Sequence, residues 1–570
     1  MDYSSAVIRS LVILALASVT FAVQGPLPRA AAPTLVLYNA RVITVDPAFA
    51  IAEAVAIAGE RVLAVGTSAQ MLALSERRES NGRAIAGPAT RLIDLKGQTL
   101  LPGLMDNHLH GAGGGPGVDL SRARSLADVA AAVSARARTV KPGELILSNN
   151  DWHEAQLKEQ RLPLRDDLDR MASNNPVILV RGGHEYILNS AALARSNITE
   201  KTAEPAGGRI TRYADGRLNG ELVDAARSLV RLPPVPRTPN EQLVARIADY
   251  RKLNAVGLTT VRHPGVSIAD YRMLQEIQRG ERTMRINVLM SNTISLDGAA
   301  PPLLASGIDM GEGDEWLRVG GVKLAVDGGF EGGLMREPYE EPWGEGQTFR
   351  GLQTVDTERF VAAVRAFNEQ GWRVATHAVG DAAIDLVLSA YEKANAEQSI
   401  VGRRWSIEHA FIGRPDLLPR MKALGLAISA QNHLYLAGPS LVKYWGAARA
   451  GITTPVKMYL DAGLPVSSGT DAPVVPYPPL WTIYHFVTRD TITGGVLGPG
   501  QRVSREQAIR MATINNAWLM MEEQDKGSIE PGKLADLIVL NEDPLTCPEP
   551  RLRDAQVMMT IVGGKTVFER

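Results

Sequence analysis

The chain has 570 residues, of which 45% are hydrophobic and 22% charged, and its formal net charge at pH 7 is −1. This composition is typical of a globular protein that is long enough for several hydrophobic cores. No basic block or stripe occurs, so we expect neither a nucleic acid nor an acidic membrane surface as a partner. The single cysteine, Cys547, excludes an internal disulfide bond.

The amino-terminal segment is typical of a secretory signal peptide. After Arg9, the run "SLVILALASVTFAV" is apolar, and residues 20–22 offer small side chains for cleavage. We therefore expect residues 1–22 to be a signal peptide and residues 23–33 a leader, with export to the periplasm or the medium. An uncleaved anchor is the alternative, although the run is short for a membrane span of roughly 20 residues.

Short runs rich in β-branched residues occur near both ends of the chain. Residues 34–97 contain "TLVLYNARVITVD" and "AVAIAGERVLAVG", and the same pattern returns in "KLADLIVLNEDP" within residues 527–570. Because chain ends commonly lie close together, the two regions can pair into one domain. We predict a small split β-sandwich made of residues 34–97 and 527–570.

Residues 98–526 alternate apolar strand-like runs with helical patterns, which predicts a parallel α/β sheet. Ten such runs can be counted, starting with "LLPGLMDNH", whereas a (β/α)8 TIM barrel needs eight. The second and third runs, "ELILSNN" and "PVILVRGG", lie in a long segment of about residues 111–256. We interpret this segment as a large insertion after barrel strand 1, which leaves eight barrel strands.

Polar residues stand at the carboxyl ends of five predicted barrel strands, where barrel enzymes carry their active residues. They are His108 and His110 on strand 1, Lys323 on strand 4, His377 on strand 5, His409 on strand 6 and Asp471 on strand 8. Residues i and i+2 of a strand share a face, so His108 and His110 project together. Imidazoles and a carboxylate that converge on one barrel mouth are the ligand set of a hydrolytic Zn²⁺ site.

The chain resembles the amidohydrolase superfamily, and within it the YtcJ-like branch, also called amidohydrolase family 3. The motifs that carry the resemblance span residues 34–570 and include "LIDLKGQTLLPGLMDNHLHG", "VKLAVDGG", "THAVGDAAID", "IEHA", "GTDAP" and "EQAIRMATINNAWLMM". The resemblance implies a barrel with two metal ions, one held by His108, His110 and Asp471 and the other by His377 and His409. Lys323 falls where the superfamily often has a lysine carbamylated by CO₂ that bridges both ions. An unmodified lysine beside a single ion is the alternative.

The sequence departs from this branch at positions that we expect to face the substrate. Gly182 stands where an aspartate is common in Asp-Gly-His, Ala382 stands where an arginine is common, and "FEGGLM" replaces a small polar run after "VDGG". His184 and His433 are candidates for lining the substrate pocket, each against a structural role. His153 and His485 are expected at the surface or in packing.

Together these features predict a metal-dependent hydrolase of a non-peptide C–N bond, in an amide, an N-acyl amine or an N-acyl amino acid. Asp471 would take a proton from the attacking water and deliver it to the leaving nitrogen. The alternatives are a cyclic amide or lactone hydrolase or a deaminase of the same superfamily and, in another class, a non-catalytic metal-binding protein. We expect a small-molecule substrate and no stable membrane insertion after the signal peptide is cleaved. A homo-oligomer is compatible with the sequence.

Overall fold

The structure is a computed structural model, and it describes residues 32–76, 90–233, 238–280, 282–291, 301–341 and 348–570. The predicted signal peptide and most of the predicted leader lie outside the described residues. Within those residues, no helix is long and apolar enough to cross a membrane.

Eight parallel strands form the central sheet and follow one another around it in chain order. Barrel strand 1 closes onto barrel strand 8, where the backbone N–H of Asn107 donates to the carbonyl of Ser468 (3.3 Å). The predicted (β/α)8 barrel is therefore confirmed. Barrel strands 1 to 8 are Leu104–Asp106, Leu258–Val266, Arg285–Ser291, Leu317–Ala325, Val374–Ala378, Ser406–His409, Ala427–Gln431 and Val466–Gly469.

Helices alternate with these strands and share one hydrophobic core with them. The helix Ile268–Arg279 illustrates how the sequence sets such an element. The hydroxyl of Ser267 caps it by accepting from the N–H of Asp270 (3.1 Å), and the buried Leu274 and Ile277 lie three residues apart on one face. The helices of the barrel region are Pro239–Asn254, Ile268–Arg279, Thr357–Glu369, Asp381–Glu397, Leu418–Ala423, His433–Gly451, Val456–Asp461, Pro479–Thr488, Arg505–Met511 and Ile514–Leu519.

Two further sheets share a hydrophobic core of their own: a four-stranded sheet from the amino-terminal region and a six-stranded sheet with strands from both ends of the chain. Thr99–Pro102 lies between the parallel strand Arg41–Ile43 and the antiparallel strand Leu537–Leu540, so the two ends meet in one sheet. This is the split β-sandwich expected from the sequence. Its other strands are Leu35–Tyr38, Ile51–Ala52, Ala54–Ala58, Arg61–Gly66, Arg91–Asp94, Val557–Val562 and Lys565–Glu569, and its helix is Ser68–Ser75. The helix Glu549–Asp554 packs on the barrel, because its Leu552 belongs to the barrel core.

The apolar run "LLPGLMDNH", counted as one barrel strand in the sequence, is divided in the structure. Thr99–Pro102 belongs to the sandwich, whereas Leu104–Asp106 belongs to the barrel. Gly103 marks the division at a point of close packing, because a Cβ there would lie 2.2 Å from Oγ1 of Thr259. The sandwich therefore extends past residue 97, where the sequence pattern placed its boundary.

The segment between barrel strands 1 and 2 folds around a five-stranded sheet of its own. Two of the ten runs counted in the sequence, "ELILSNN" and "PVILVRGG", provide strands of this sheet and not of the barrel. Its loops reach the carboxyl end of the barrel, since the ring of His184 lies 5.6 Å from the ring of His377. The strands are Ile146–Leu147, Val177–Arg181, Glu185–Leu188, Gly208–Arg212 and Leu218–Asp224, and the helices are Leu126–Ala137, Arg165–Met171 and Ser190–Arg195.

Candidate metal centre

Asp471 lies at the centre of the predicted site. Its Oδ1 is 3.1 Å from Nε2 of the exposed His110 and 3.6 Å from Nε2 of the buried His108. Around a tetrahedral Zn²⁺ the ligand atoms lie about 2.0–2.2 Å from the ion, which separates them by about 3.4 Å. One donor atom each of His108, His409 and Asp471 also lie within 4.8 Å of one another. The spacing of these side chains fits a divalent metal ion.

The hydrogen bonds of the donors fit a metal ion as well. Oδ1 of Asp471 is buried, and it faces the ring nitrogens of His110 and His108 without a well-aligned hydrogen bond to any described residue. Nδ1 of His108 lies 2.7 Å from Oε2 of Glu408, and Nδ1 of His409 lies 2.8 Å from Oε1 of Gln431. In metal sites the second ring nitrogen of a histidine is commonly held in this way. The Nε2 atoms of His108 and His409 are thus the atoms available as ligands.

Glu408 holds His108 in place, although the sequence reasoning did not single it out. Its buried carboxylate also accepts from Nη2 of Arg262 (3.1 Å) and from the hydroxyl of Ser406 (2.7 Å). Burial raises the pKa of Glu408, but Arg262 and His108 outweigh burial and keep that pKa well below its usual range. An ionised carboxylate on Nδ1 fixes the tautomer of His108 and makes its Nε2 a better ligand. A glutamate within the apolar run "WSIEHAF" is the signal that could have revealed it.

Lys323, on barrel strand 4, lies beside the same histidine. Its Nζ is 3.3 Å from Nε2 of His108. Burial lowers the pKa of Lys323 below its ordinary value, although Glu408 and Asp471 act in the opposite direction. An ammonium group at this position would repel a cation bound by His108. Metal binding by His108 therefore depends on whether the amine of Lys323 is charged, neutral or chemically modified.

His377 lies next to His409, with 4.5 Å between the centres of the two rings. Nε2 of His377 is 3.1 Å from the carbonyl oxygen of Gly328 and 3.6 Å from Oδ1 of Asp327. Burial raises the pKa of Asp327 to about 7, although backbone N–H groups that donate to it oppose the change. The structure thus brings His377 and His409 together, and it also groups a donor atom of His409 with those of His108 and Asp471.

A cavity opens onto these residues, and both pocket candidates from the sequence line it. Nε2 of His433 lies 3.0 Å from Oδ2 of Asp471. Nδ1 of His184 lies 2.6 Å from Oδ1 of Asp224. Burial would lower the pKa of His184, but the carboxylate of Asp224 reverses this and raises it above its ordinary value. His433 can therefore orient Asp471, while His184 faces the cavity from the insertion.

The cavity also contains residues that the sequence reasoning missed. His153 is not a surface residue, because it is buried and lines the cavity, with Nδ1 3.2 Å from Oε2 of Glu154. Burial lowers the pKa of His153 to about 3. Phe330 and Glu331 line the cavity as well, and they come from the "FEGG" run that departs from the family branch. That departure was the signal in the sequence for a substrate-facing wall.

Comparison with known proteins identifies the family. A model of the amidohydrolase family matches residues 91–568. The chain belongs to this family. It is 32% identical to an N-substituted formamide deformylase of Arthrobacter pascens, over 94% of this chain and 98% of that one. It is 28% identical to the putative amidohydrolase YtcJ of Bacillus subtilis (strain 168), over 85% of this chain and 91% of that one.

A solved structure supports the same conclusion. An uncharacterized metal-dependent hydrolase from Pyrococcus furiosus has a TM-score of 0.63 and 28% identity, with 90% of this chain and 100% of that chain covered. The family recognised from the sequence motifs is therefore confirmed. The protein is an amidohydrolase, a hydrolase that acts on carbon–nitrogen bonds.

Proposed function

We propose that this amidohydrolase cleaves the C–N bond of a small N-acyl amine, with an N-substituted formamide as the first candidate substrate. We also propose that the activity depends on divalent metal ions, with Zn²⁺ as the first candidate. The observation that carries the proposal is the similarity to a formamide deformylase over nearly the full length of both chains. The donor group of His108, His409 and Asp471 supports metal dependence. The cavity that opens onto these donors is lined by histidines and by the aromatic rings of Phe330 and Phe411, a mixed polar and apolar lining that is typical of small-molecule sites.

In this proposal His108, His110 and Asp471 hold one ion, and His377 and His409 hold a second. A bound divalent ion would lower the pKa of a water molecule to about 7 and polarise the carbonyl group of the substrate. A site for a single ion, made of His108, His409 and Asp471, is the simpler alternative that the geometry also supports.

We further propose that Lys323 reacts with CO₂ to form a carbamate that bridges the two ions, with loss of one proton from the amine. The contact between Nζ and Nε2 of His108 supports this step, because a carbamate replaces a repelling cation with oxygen ligands. Lys323→Ala should then lower the metal content towards one ion per chain and abolish most activity. Small carboxylates added with the metal should restore part of it. Full activity with unchanged metal content would contradict the bridging role.

Residues of the chain itself would move the protons. Asp471 accepts a proton from the attacking water and passes it to the leaving nitrogen, so that one water and one amide give a carboxylic acid and an amine. His433 lies 3.0 Å from Oδ2 of Asp471 and so fixes the orientation of the carboxylate. Glu408 keeps the ring of His108 in one orientation through its contact with Nδ1.

A substrate panel tests the reaction class. Purified protein, loaded with Zn²⁺, should release amines from N-formyl and N-acetyl amines, and a chelator should abolish the activity until metal is restored. Elemental analysis of the same sample should find one or two ions per chain. Turnover of cyclic amides or lactones alone, or release of ammonia from amino-substituted rings, would favour the alternatives within the superfamily. Bound metal without turnover of any substrate would favour a binding protein.

We also propose that the protein is exported, on the basis of the run "SLVILALASVTFAV" near the amino terminus. Amino-terminal sequencing of the protein from its native host should find a mature chain that begins after about residue 22. An intact Met1 in a cytosolic fraction would contradict export.

A further inference from the structure

The wall of the cavity contains a second set of buried charges, which we name the arginine cluster: Arg181, Glu154, Glu185 and Glu331. Nε of Arg181 lies 3.0 Å from Glu154, and its Nη2 lies 2.5 Å from Glu185 and also contacts Glu331. Each of the four side chains is at most 3% exposed. One guanidinium group thus faces three carboxyl groups in a region that excludes water.

Each of the three carboxyl groups has at least one oxygen that makes no hydrogen bond within the described residues, namely Oε2 of Glu154, both oxygens of Glu185 and Oε2 of Glu331. Oε1 of Glu154 accepts from the hydroxyl groups of Tyr444 (2.7 Å) and Ser440 (3.0 Å). Oε2 of Glu331 has no hydrogen-bond partner among the described residues, although Glu331 is only 1% exposed. A buried carboxylate oxygen without a partner is costly, so a donor supplied by a ligand would be bound favourably here.

Glu331 is also the carboxylate in contact with the reaction cavity. Glu331 lines the cavity together with Arg181, whereas Glu154 and Glu185 do not. Its neighbour Phe330 packs against the ring of His433 (5.4 Å) and stacks on Phe411 (5.6 Å), so aromatic surface adjoins the carboxylate. Aromatic faces attract cations and also suit an alkyl chain.

We infer that the amine part of the substrate carries a second, cationic nitrogen, which Glu331 binds. This inference rests on the proposed hydrolysis of N-acyl amines and names the class of amine. A cation at Glu331 donates the hydrogen bond that Oε2 lacks. The substrate is therefore a mono-N-acylated diamine, with the alkyl chain between its two nitrogens lying along the wall formed by Phe330 and Phe411.

Binding of two sulfonamides tests the inference without any need for turnover. The cationic probe is N-methanesulfonyl-1,5-diaminopentane, and the neutral probe is N-methanesulfonylhexylamine, which has nearly the same length and cannot be hydrolysed as an amide. Calorimetric titration of the metal-loaded protein should show the cationic probe binding at least about tenfold more tightly, as expected when a buried charge gains its partner. Equal affinities, a preference for the neutral probe, or no binding of the cationic probe would each overturn the inference.

Two matched variants assign the effect to Glu331. Glu331→Gln should remove the preference for the cationic probe. Glu185→Gln replaces a second buried carboxyl group beside the same arginine, but away from the cavity, and should retain most of the preference. Glu331→Asp should keep part of it, which guards against a folding defect in the glutamine variant. An unchanged preference in folded Glu331→Gln, or an equal loss in both glutamine variants, would overturn the role of Glu331.

Turnover of N-formyl-1,5-diaminopentane and N-formylhexylamine separates this inference from the proposed reaction. If neither formamide is hydrolysed but the cationic probe is preferred, the proposed reaction fails while the cation site stands. If both formamides are hydrolysed with equal kcat/KM, the reaction stands and the cation site is overturned.

Discussion

The candidate metal centre and the arginine cluster share one cavity, but they are built in different ways. The donors of the metal centre stand at the ends of neighbouring strands of one closed sheet, as His377 and His409 show on barrel strands 5 and 6. The arginine cluster combines Arg181 and Glu185, which are paired on two strands of the insertion, with Glu331 from the loop after barrel strand 4. The barrel therefore supplies the reaction chemistry in our proposal, and the added segments supply recognition of the substrate.

The largest expected effect comes from the barrel side. Asp471→Asn keeps the shape and one oxygen ligand of the side chain, but its amide cannot accept a proton at neutral pH. We expect kcat to fall by about 10²–10⁴-fold, as is typical of general acid–base groups, with most of the metal retained because the histidines remain. Elemental analysis and steady-state kinetics on one sample measure both quantities.

His108→Ala provides the contrast, since it should lower the metal content itself. Should Asp471→Asn retain activity within a few-fold of the parent, Asp471 is not the base. The role would then pass to another cavity residue such as His184, and the barrel would no longer hold all of the chemistry.

The second prediction compares two buried glutamates, one from each side of the cavity. Glu408→Gln removes the charge that holds His108, and loss of such a partner typically weakens metal affinity by about 10–100-fold. Glu185→Gln replaces a buried carboxyl group of the arginine cluster and should leave metal affinity unchanged. Competition with a chromogenic chelator measures both values, and circular dichroism checks that each variant is folded. Equal losses of metal affinity in the two variants would mean that the arginine cluster also supports the metal centre.

The same contrast explains which site residues could be predicted from the sequence. A barrel places the ends of its strands at one mouth, so His108, His377, His409 and Asp471 could be assigned to one site once their strands were recognised. Arg181 and Glu331 meet only through tertiary packing over 150 residues of sequence. The apolar run "PVILVRGG" indicates that Arg181 is buried and therefore needs a charged partner. The spacing of residues along the chain does not indicate that Glu331 is that partner.

The fold was predicted where the alternation of apolar runs is regular, and less well where one run serves two sheets. The run "LLPGLMDNH" has the pattern of a single buried strand. Its division at Gly103 depends on the side chain of Thr259, on barrel strand 2, which approaches too closely for any Cβ. The boundary of the sandwich is thus set by a contact with a distant part of the chain, and no local pattern could have given it.

His184 allows a third test, because it belongs to the insertion but approaches a residue of the metal centre. Its ring lies 5.6 Å from that of His377, while its Nδ1 is held by Asp224. We expect His184→Asn to raise KM by about tenfold, the usual value of one polar contact to a substrate, with kcat and metal content little changed. Loss of metal in this variant would show that the insertion supplies a ligand, and the division between the two regions would fail.

The smallest expected effect concerns Phe330, which lies between the two regions. Its ring packs against that of His433, whose Nε2 holds Asp471, and an aromatic contact of this kind contributes about 0.5–1.5 kcal/mol beyond the area that it buries. Phe330→Leu keeps an apolar side chain but loses the ring, so kcat/KM should fall by roughly two- to tenfold, with unchanged metal content. Phe367→Leu is the matched control, because Phe367 is also buried, with its ring against Trp372 in the barrel core and away from the cavity. It should lower the melting temperature about as much as Phe330→Leu does while leaving kcat/KM unchanged. If both variants lose the same activity, Phe330 acts only through stability, and the loop after barrel strand 4 has no direct influence on Asp471.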